Sequence, residues 1–355
     1  MSESKLTQRL ENLSGKEVGS LFSSIGKIDE FKGWWRGAAH LSPQILNRLK
    51  RNVVITSAGA STRIEGSAMS DKEVERLLRG LKITRLKDRD SQEVVGYAEL
   101  LGIVFDQYRH MKFNEGLILQ FHSLLLKYSQ KDRFHKGQYK NKPNQVILLG
   151  PGGEQTVMFN PTAPHLTPTE MRSLVEWTRE NLAKDHFHPL VVIANFILEF
   201  LAIHPFEDGN GRLSRILANL LLLQAGYAYA PYASLEKIVE DNKTQYYLTL
   251  RQSQENIASP NANVAPWLRF FLDTLCTQIE TLRKLLEAKP SETLLSENQI
   301  KVLRLFDQYE EVALRLVTKR FRIPVPTAKQ TLNRLVELRL LQRIGLGRAT
   351  RYRRI

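Results

Sequence analysis

His204-Pro205-Phe206-Glu207-Asp208-Gly209-Asn210-Gly211-Arg212-Leu213-Ser214-Arg215 is the stretch on which the reading of this chain turns. An apolar run over 189–203 precedes it and a leucine-rich run over 213–223 follows, so the stretch joins two helices. The first is apolar nearly all round and belongs at the centre of a helical body. Gly209 and Gly211 flank Asn210, so the backbone can come close to a ligand. Successive N–H groups entering a helix N-terminus make a nest for an anion. Arg212 and Arg215 are three apart and project from one side of the first turns; two guanidinium forks over a nest suit a polyphosphate. Asp208 is a hard oxygen ligand of the kind that holds Mg2+ together with phosphate oxygens. His204 can accept a proton near neutral pH. A base, a metal carboxylate and a phosphate cradle point to nucleotidyl or phosphoryl transfer.

Outward from that stretch the chain reads as mainly α. Helices are expected over 42–52, 91–108, 114–128, 170–184, 189–203, 213–223, 243–253 and 267–287, with Gly226 a stop. Ser70 with Glu73 three residues on marks a capped helix start. Ser57 to Gly66 is a small-residue stretch whose helix limits stay open. Residues 1–40 are mixed polar and aromatic. Val146–Leu149, a turn at Gly150-Pro-Gly-Gly153 and a strand over 156–159 read as a hairpin. No Lys-Ser/Thr pair follows that glycine turn, so it is a poor phosphate loop.

The chain has 355 residues, enough for two or three domains and for a core without staples. Its 42% hydrophobic and 25% charged residues are those of a globular protein. The single cysteine, Cys276, rules out an internal disulfide framework and reads as a small core residue. The N-terminus lacks an apolar signal core, and the 190–203 run is too short for a bilayer and carries Asn195 and Glu199. A cytoplasmic protein with no membrane partner is expected. Charge is uneven: 289–355 holds fifteen Lys+Arg against six Asp+Glu, a net +9 of the total +14. That places a polyanion-binding module beside a near-neutral body, with 288–292 as the linker.

The opening stretch resembles the signature of the Fic family, H-P-F-x-(D/E)-G-N-G-R-x-x-R, at every fixed position. The resemblance covers roughly 30–285 and implies a Fic-type helical bundle with a β-hairpin flap. It implies transfer of AMP from ATP to a Ser, Thr or Tyr hydroxyl of a protein target. His204 would be the general base and Asp208 would hold Mg2+. Gly209, Asn210 and Gly211 would bind phosphate oxygens, and Arg212 and Arg215 would grip the β- and γ-phosphates. Phe206 would brace the loop from the core. Glu207, at a variable position, is counted with the ATP contacts, as are Tyr246, Tyr247 and Gln254, which match where relatives meet ribose and adenine. Ser61-Thr-Arg-Ile-Glu65-Gly66 resembles the family's inhibitory motif, (S/T)-x-x-x-E-(G/N). There Glu65 would take the Arg215 fork meant for the γ-phosphate and mis-set the α-phosphate for attack. The hairpin would dock the target peptide as an added strand.

Residues 294–355 read as helix, helix, Pro-broken turn, helix and a basic hairpin, with Thr327 capping a helix over 328–338 and Lys329, Arg334 and Arg339 exposed. This resembles a winged helix-turn-helix, which leaves two partners open: DNA, which the charge surplus favours, or protein, through dimerisation or docking. The expected division is therefore an N-terminal helical region (1–110) with the inhibitory helix, a Fic core (111–288) and a winged helix-turn-helix (289–355). Two alternatives stay open: a DNA-binding regulator whose Fic core senses nucleotide, or an enzyme that removes AMP by a water positioned on Glu65. Relatives leave a homodimer open as well.

Overall fold

The computed structural model describes residues 4–37, 43–80, 86, 88–144, 146–149, 155–184, 186–287, 295–338, 340–345, 347 and 350–354. The chain divides into two compact units, Met1–Ala39 with Leu49–Thr281, and His40–Arg48 with Leu282–Ile355. In chain order the helices are α1 (Lys5–Glu11), α2 (Gly15–Gly37), α3 (Pro43–Ile64), α4 (Asp71–Arg79), α5 (Arg89–Gln107) and α6 (Glu115–Leu125). A hairpin of β1 (Val146–Leu149) and β2 (Gln155–Phe159) follows, then α7 (Thr167–Lys184), α8 (Pro189–Ile203), α9 (Asn210–Gln224), α10 (Leu235–Asp241), α11 (Lys243–Gln254) and α12 (Ala265–Glu287). The chain ends in α13 (Glu297–Leu305), β3 (Glu311–Val312), α14 (Leu314–Phe321), α15 (Val325–Glu337), β4 (Leu341–Ile344) and β5 (Arg351–Arg354).

The larger unit is built around α8 and α9. Every residue of α8 except Pro189 and Val191 is buried. Pro189 suits the first turn, where its missing N–H goes unused, and His188 Nδ1 accepts from the Leu190 N–H at 3.3 Å. α7, α9 and α11 pack on α8, and α5 and α6 cover α9. Two polar side chains sit on the buried face of α8, Asn195 and Glu199. Arg9 of α1 meets both, with Nε donating to Asn195 Oδ1 at 2.7 Å and Nη1 to Glu199 Oε2 at 2.6 Å. Among the described residues no helix is long and apolar enough to cross a membrane.

Several sequence expectations are corrected here. α1 and α2 give the N-terminal helical region its first two helices, whose limits had not been set; Leu21, Ile25, Ile28 and Phe31 of α2 form its buried stripe. α3 runs unbroken through the small-residue stretch, whose Ala58, Ala60 and Ser61 are buried. α9 starts at Asn210, inside the motif, and not at Leu213. α15 starts at Val325 and takes Pro326 into its first turn, so Thr327 is not its cap. Cys276 is half-buried. The Ser70–Glu73 capping box is formed, and Gly226, at φ 89°, follows the end of α9. The glycine turn of the hairpin, the 288–292 linker and Arg339 lie outside the described residues; β1 and β2 pair antiparallel.

In the smaller unit, α13, α14 and α15 surround a core of Val302, Val317, Leu332, Leu335, Leu341 and Tyr352. A three-stranded antiparallel sheet of order β3-β5-β4 closes it. Tyr352 points inward, while its neighbours Arg351 and Arg353 face solvent.

Candidate active site

α8 ends where its backbone turns left-handed. His204, the C-cap, has φ 49° and ψ 61°, and its N–H still closes the last turn on Phe200 O at 2.9 Å. A non-glycine residue rarely adopts this conformation, so the surroundings must hold it. They do so from residues 140 and 144. Lys140, 3% exposed, donates through Nζ to Ile203 O (3.0 Å) and Asn144 Oδ1 (2.9 Å), and through its backbone to Pro205 O (2.9 Å). Asn144 Nδ2 donates to Phe206 O at 3.0 Å. The His204 imidazole is pulled down to about 4, by burial first and then by the Lys140 charge. It is therefore the free base at neutral pH.

The loop is anchored from below by Phe206, fully buried and stacked on His122 with ring centroids 3.8 Å apart. Asn210 grips Phe206 at both ends, its Oδ1 accepting from Phe206 N (2.9 Å) and its Nδ2 donating to Phe206 O (2.8 Å). Its amide is thus spent on the loop, and only its backbone N–H is left for a ligand. His122 Nδ1 accepts from Gly137 N at 2.8 Å, which leaves its Nε2–H to donate to Asp208 O at 3.0 Å. Gly209 turns left-handed (φ 83°), and a Cβ there would meet Leu125 and His122 at 3.3 and 3.7 Å. Only glycine fits this corner.

α9 then presents its first N–H groups, which have no partner within the helix. Beside them Asp208 Oδ1 accepts from Gly209 N (2.6 Å) and Arg212 Nη2 (3.0 Å), and Oδ2 from Arg89 Nη2 (3.2 Å). Burial works against the Asp208 charge, but Arg212, the Gly209 N–H and Arg89 outweigh it and hold the carboxyl below its usual range. Arg212 (1% exposed) also faces Glu93, at 3.0 Å. Arg215 (4% exposed) donates through Nε to Ser61 Oγ (2.9 Å) and through Nη2 to Ser61 O (2.9 Å) and Glu65 Oε1 (2.8 Å). Burial would lower the Arg215 guanidinium, yet Glu65 leads the groups that raise it. Arg212 Nε and Arg215 Nη1 are buried with no hydrogen bond among the described residues. Buried donors without acceptors are costly, and Arg215 Nη1, 3.4 Å from a Cβ placed on Gly211, is where an anion at the mouth of α9 would find one.

Glu65 lies just past the end of α3, and its carboxylate hangs over α9. A Cβ placed on Gly211 would fall 2.2 Å from Glu65 Oε1. The carboxylate thus fills the space above the first turn of α9. α11 secures the end of α3: Tyr247 Oη donates to Ile64 O at 3.3 Å and Lys243 Nζ to Arg63 O at 3.4 Å.

The structure thus gathers His204, Asp208, Gly209, Asn210, Gly211, Arg212, Arg215 and Glu65 at one place. Glu207 is at the rim, 3.7 Å from His135 Nε2. Tyr246 is buried against Trp267 and Phe270, beneath Arg215, and Tyr247 supports α3. Gln254 ends α11, seven residues beyond Tyr247. His122, Lys140, Asn144, Arg89 and Glu93 were not foreseen. The one signal was for His122, a polar residue in the apolar stripe of α6, which must find partners when buried.

One carboxylate, Asp208, beside buried donors without hydrogen bonds fits a metal that arrives on phosphate oxygens, and there is no group of three or more metal-binding side chains among the described residues.

Residues 112–222 match the family model described as Fic/DOC family. A protein adenylyltransferase Fic of Drosophila willistoni is 27% identical over 248 residues, 68% of this chain and 43% of the relative. A probable protein adenylyltransferase of Aquifex aeolicus is 33% identical over 97 residues, 27% of each chain. The chain thus spans less than half the length of these curated relatives. Among solved structures, a Fic family protein from Desulfovibrio desulfuricans G20 aligns over 95% of this chain and 96% of its own, with TM-score 0.65 and 23% identity. A Fic domain containing signaling protein from Bacteroides thetaiotaomicron aligns over 73% and 97%, with TM-score 0.60 and 24% identity, and shares the helical fold. Residues 112–222 thus match a Fic/DOC domain, with which the relatives and the helical fold agree.

Proposed function

We propose that this chain transfers AMP from ATP to a hydroxyl side chain of a protein and is held back by its own Glu65. One observation carries the reading: a carboxylate, 2.8 Å from the buried Arg215, sits over Gly211 at the N-terminal turn of α9. An anion of the chain itself occupies a site built for an anion. The curated relatives, named protein adenylyltransferase, support the same reading. His204, neutral at pH 7, takes the proton of the target hydroxyl. The hydroxyl oxygen bonds to the α-phosphorus, the bond from that phosphorus to the bridging oxygen breaks, and pyrophosphate leaves. Asp208 would hold Mg2+, which supplies charge neutralisation for the phosphates. Arg212 and Arg215 grip the outer phosphates once Glu65 withdraws, and Tyr247 stands beside the departing carboxylate. The β1–β2 hairpin would align the target.

The test uses labelled ATP and Mg2+ with the full chain, its Glu65→Gly variant and the Glu65→Gly/His204→Ala pair. Label on protein should rise in the first variant and vanish in the second. Equal labelling by the wild type and Glu65→Gly would sink autoinhibition, and labelling that survives His204→Ala would remove the assigned base.

A second role is favoured by the smaller unit. α14, a turn at Arg322, α15 and the β4–β5 pair follow in the order of a winged helix-turn-helix, and the segment holds most of the net positive charge. We propose that this module binds duplex DNA.

A further inference from the structure

Four charged side chains close a ring next to the loop. Arg89 Nε donates to Glu93 Oε1 at 2.6 Å, and Glu93 Oε2 lies 3.0 Å from Arg212 Nη1. Arg212 Nη2 donates to Asp208 Oδ1 at 3.0 Å, and Arg89 Nη2 closes the ring on Asp208 Oδ2 at 3.2 Å. Two guanidiniums and two carboxylates alternate, so the ring is neutral. Its corners differ. The Arg212 and Glu93 side chains are 1% and 9% exposed, whereas Arg89 is 58% and Asp208 32% exposed. Asp208 Oδ1 already has two donors, while Arg89 is the only donor to Oδ2 among the described residues. The Arg89–Asp208 contact is thus the longest and wettest of the four, and exposed pairs of this kind hold weakly. The Arg89–Glu93 contact, one turn apart on α5, is short and keeps the guanidinium in place whatever happens at its other end.

We propose that Arg89 is a positioning residue that stands in for the divalent cation on Asp208 Oδ2 and yields that oxygen when metal-bearing nucleotide arrives. The inference rests on the adenylyl-transfer reading above and adds the start of α5 to the site. A guanidinium on Oδ2 keeps the carboxylate aimed while no nucleotide is bound. Its charge also disfavours a bare divalent ion, so Asp208 would take a metal only together with phosphates that offset the charge. Once displaced, the guanidinium stays tethered to Glu93 beside the phosphates. Each effect makes nucleotide binding depend less on metal than Asp208 alone would.

That dependence is the measurement. The affinity of α,β-methylene-ATP for the full-length Glu65→Gly chain is read by calorimetry with Mg2+ and with EDTA, and the ratio of the two affinities is compared between variants. Adding Arg89→Gln should raise the ratio about threefold to tenfold, because binding without metal weakens and metal no longer competes. Adding Asp208→Asn should bring the ratio toward one, with or without Arg89→Gln. If Arg89 merely supports the fold, Arg89→Gln lowers both affinities by one factor and the ratio stays put, which overturns the proposal. An analogue that fails to bind the Glu65→Gly chain in either buffer removes the nucleotide reading itself, and Arg89 with it.

Discussion

Gly211 has no room for a methyl group while Glu65 is in place. The nearest atom to such a methyl is Glu65 Oε1 at 2.2 Å, followed by Glu65 Cδ at 3.1 Å and Arg215 Nη1 at 3.4 Å. Gly211→Ala should therefore expel the carboxylate and leave the buried Arg215 without its charged partner, costing about 1–3 kcal/mol in urea unfolding. In a Glu65→Gly background the obstacle is gone, Gly211 has no positive φ to forbid alanine, and the same change should be nearly neutral. Additive costs in the two backgrounds would mean that Glu65 does not sit over α9 in solution. At this scale the sequence was informative where function is written consecutively, from His204 to Arg215. It was silent where the loop is held by residues far along the chain: Arg89 reaches Asp208 across 119 positions, His122 across 86, and Lys140 reaches Ile203 across 63. No local spacing encodes such contacts.

At the scale of elements, α8 has to place His204, and α1 helps to place α8. Glu199 is 3% exposed and Arg9 1% exposed, with Lys5 Nζ completing the cluster at 2.9 Å from Glu199 Oε1. Burial works against the Glu199 charge, but Arg9 and then Lys5 prevail and hold the carboxyl below its usual range. Removing one buried partner strands the other. Arg9→Ala should cost about 3–5 kcal/mol, while Arg9→Met with Glu199→Leu should recover most of that loss. Chemical denaturation of the three proteins decides the matter, and a mild Arg9→Ala would mean that α1 is not docked on α8. Asn195 and Glu199 stood out in the sequence as interruptions of an apolar run, but their partner lies 186 and 190 residues away in a segment read only as mixed polar and aromatic. Gly19, Gly26 and Gly33 argue against a helix in α2 by propensity, yet the buried stripe from Leu21 to Phe31 overrides them. Similarly, Pro326 suggested a helix starting after it, whereas proline is tolerated in a first turn. The long apolar helices were legible because their period is their packing.

For the whole molecule the deciding quantity is where the charge sits. Of the net +14, +9 lies in 289–355, and several acidic groups there are already engaged: Arg353 pairs with Glu310, Arg354 with Asp307 at 2.8 Å and Arg334 with Glu337 at 2.7 Å. Arg343 and Arg351 are exposed on the antiparallel β4–β5 pair, in adjacent rungs, with Lys329 exposed on α15. If these cations meet phosphates, binding of a short duplex by the full chain should weaken steeply with salt, with a log–log slope of about −0.9 for each phosphate contacted. Arg343→Ala with Arg351→Ala should then lower affinity for unrelated duplexes alike and reduce the slope by about 2. Fluorescence anisotropy over a salt series reads both quantities. A slope unchanged by the two substitutions would move the contact off the β4–β5 pair. No duplex binding at low salt would make the smaller unit a protein-contact module, because a surplus of this size with no salt-sensitive affinity for a polyanion is a solvated surface and not a nucleic-acid footprint.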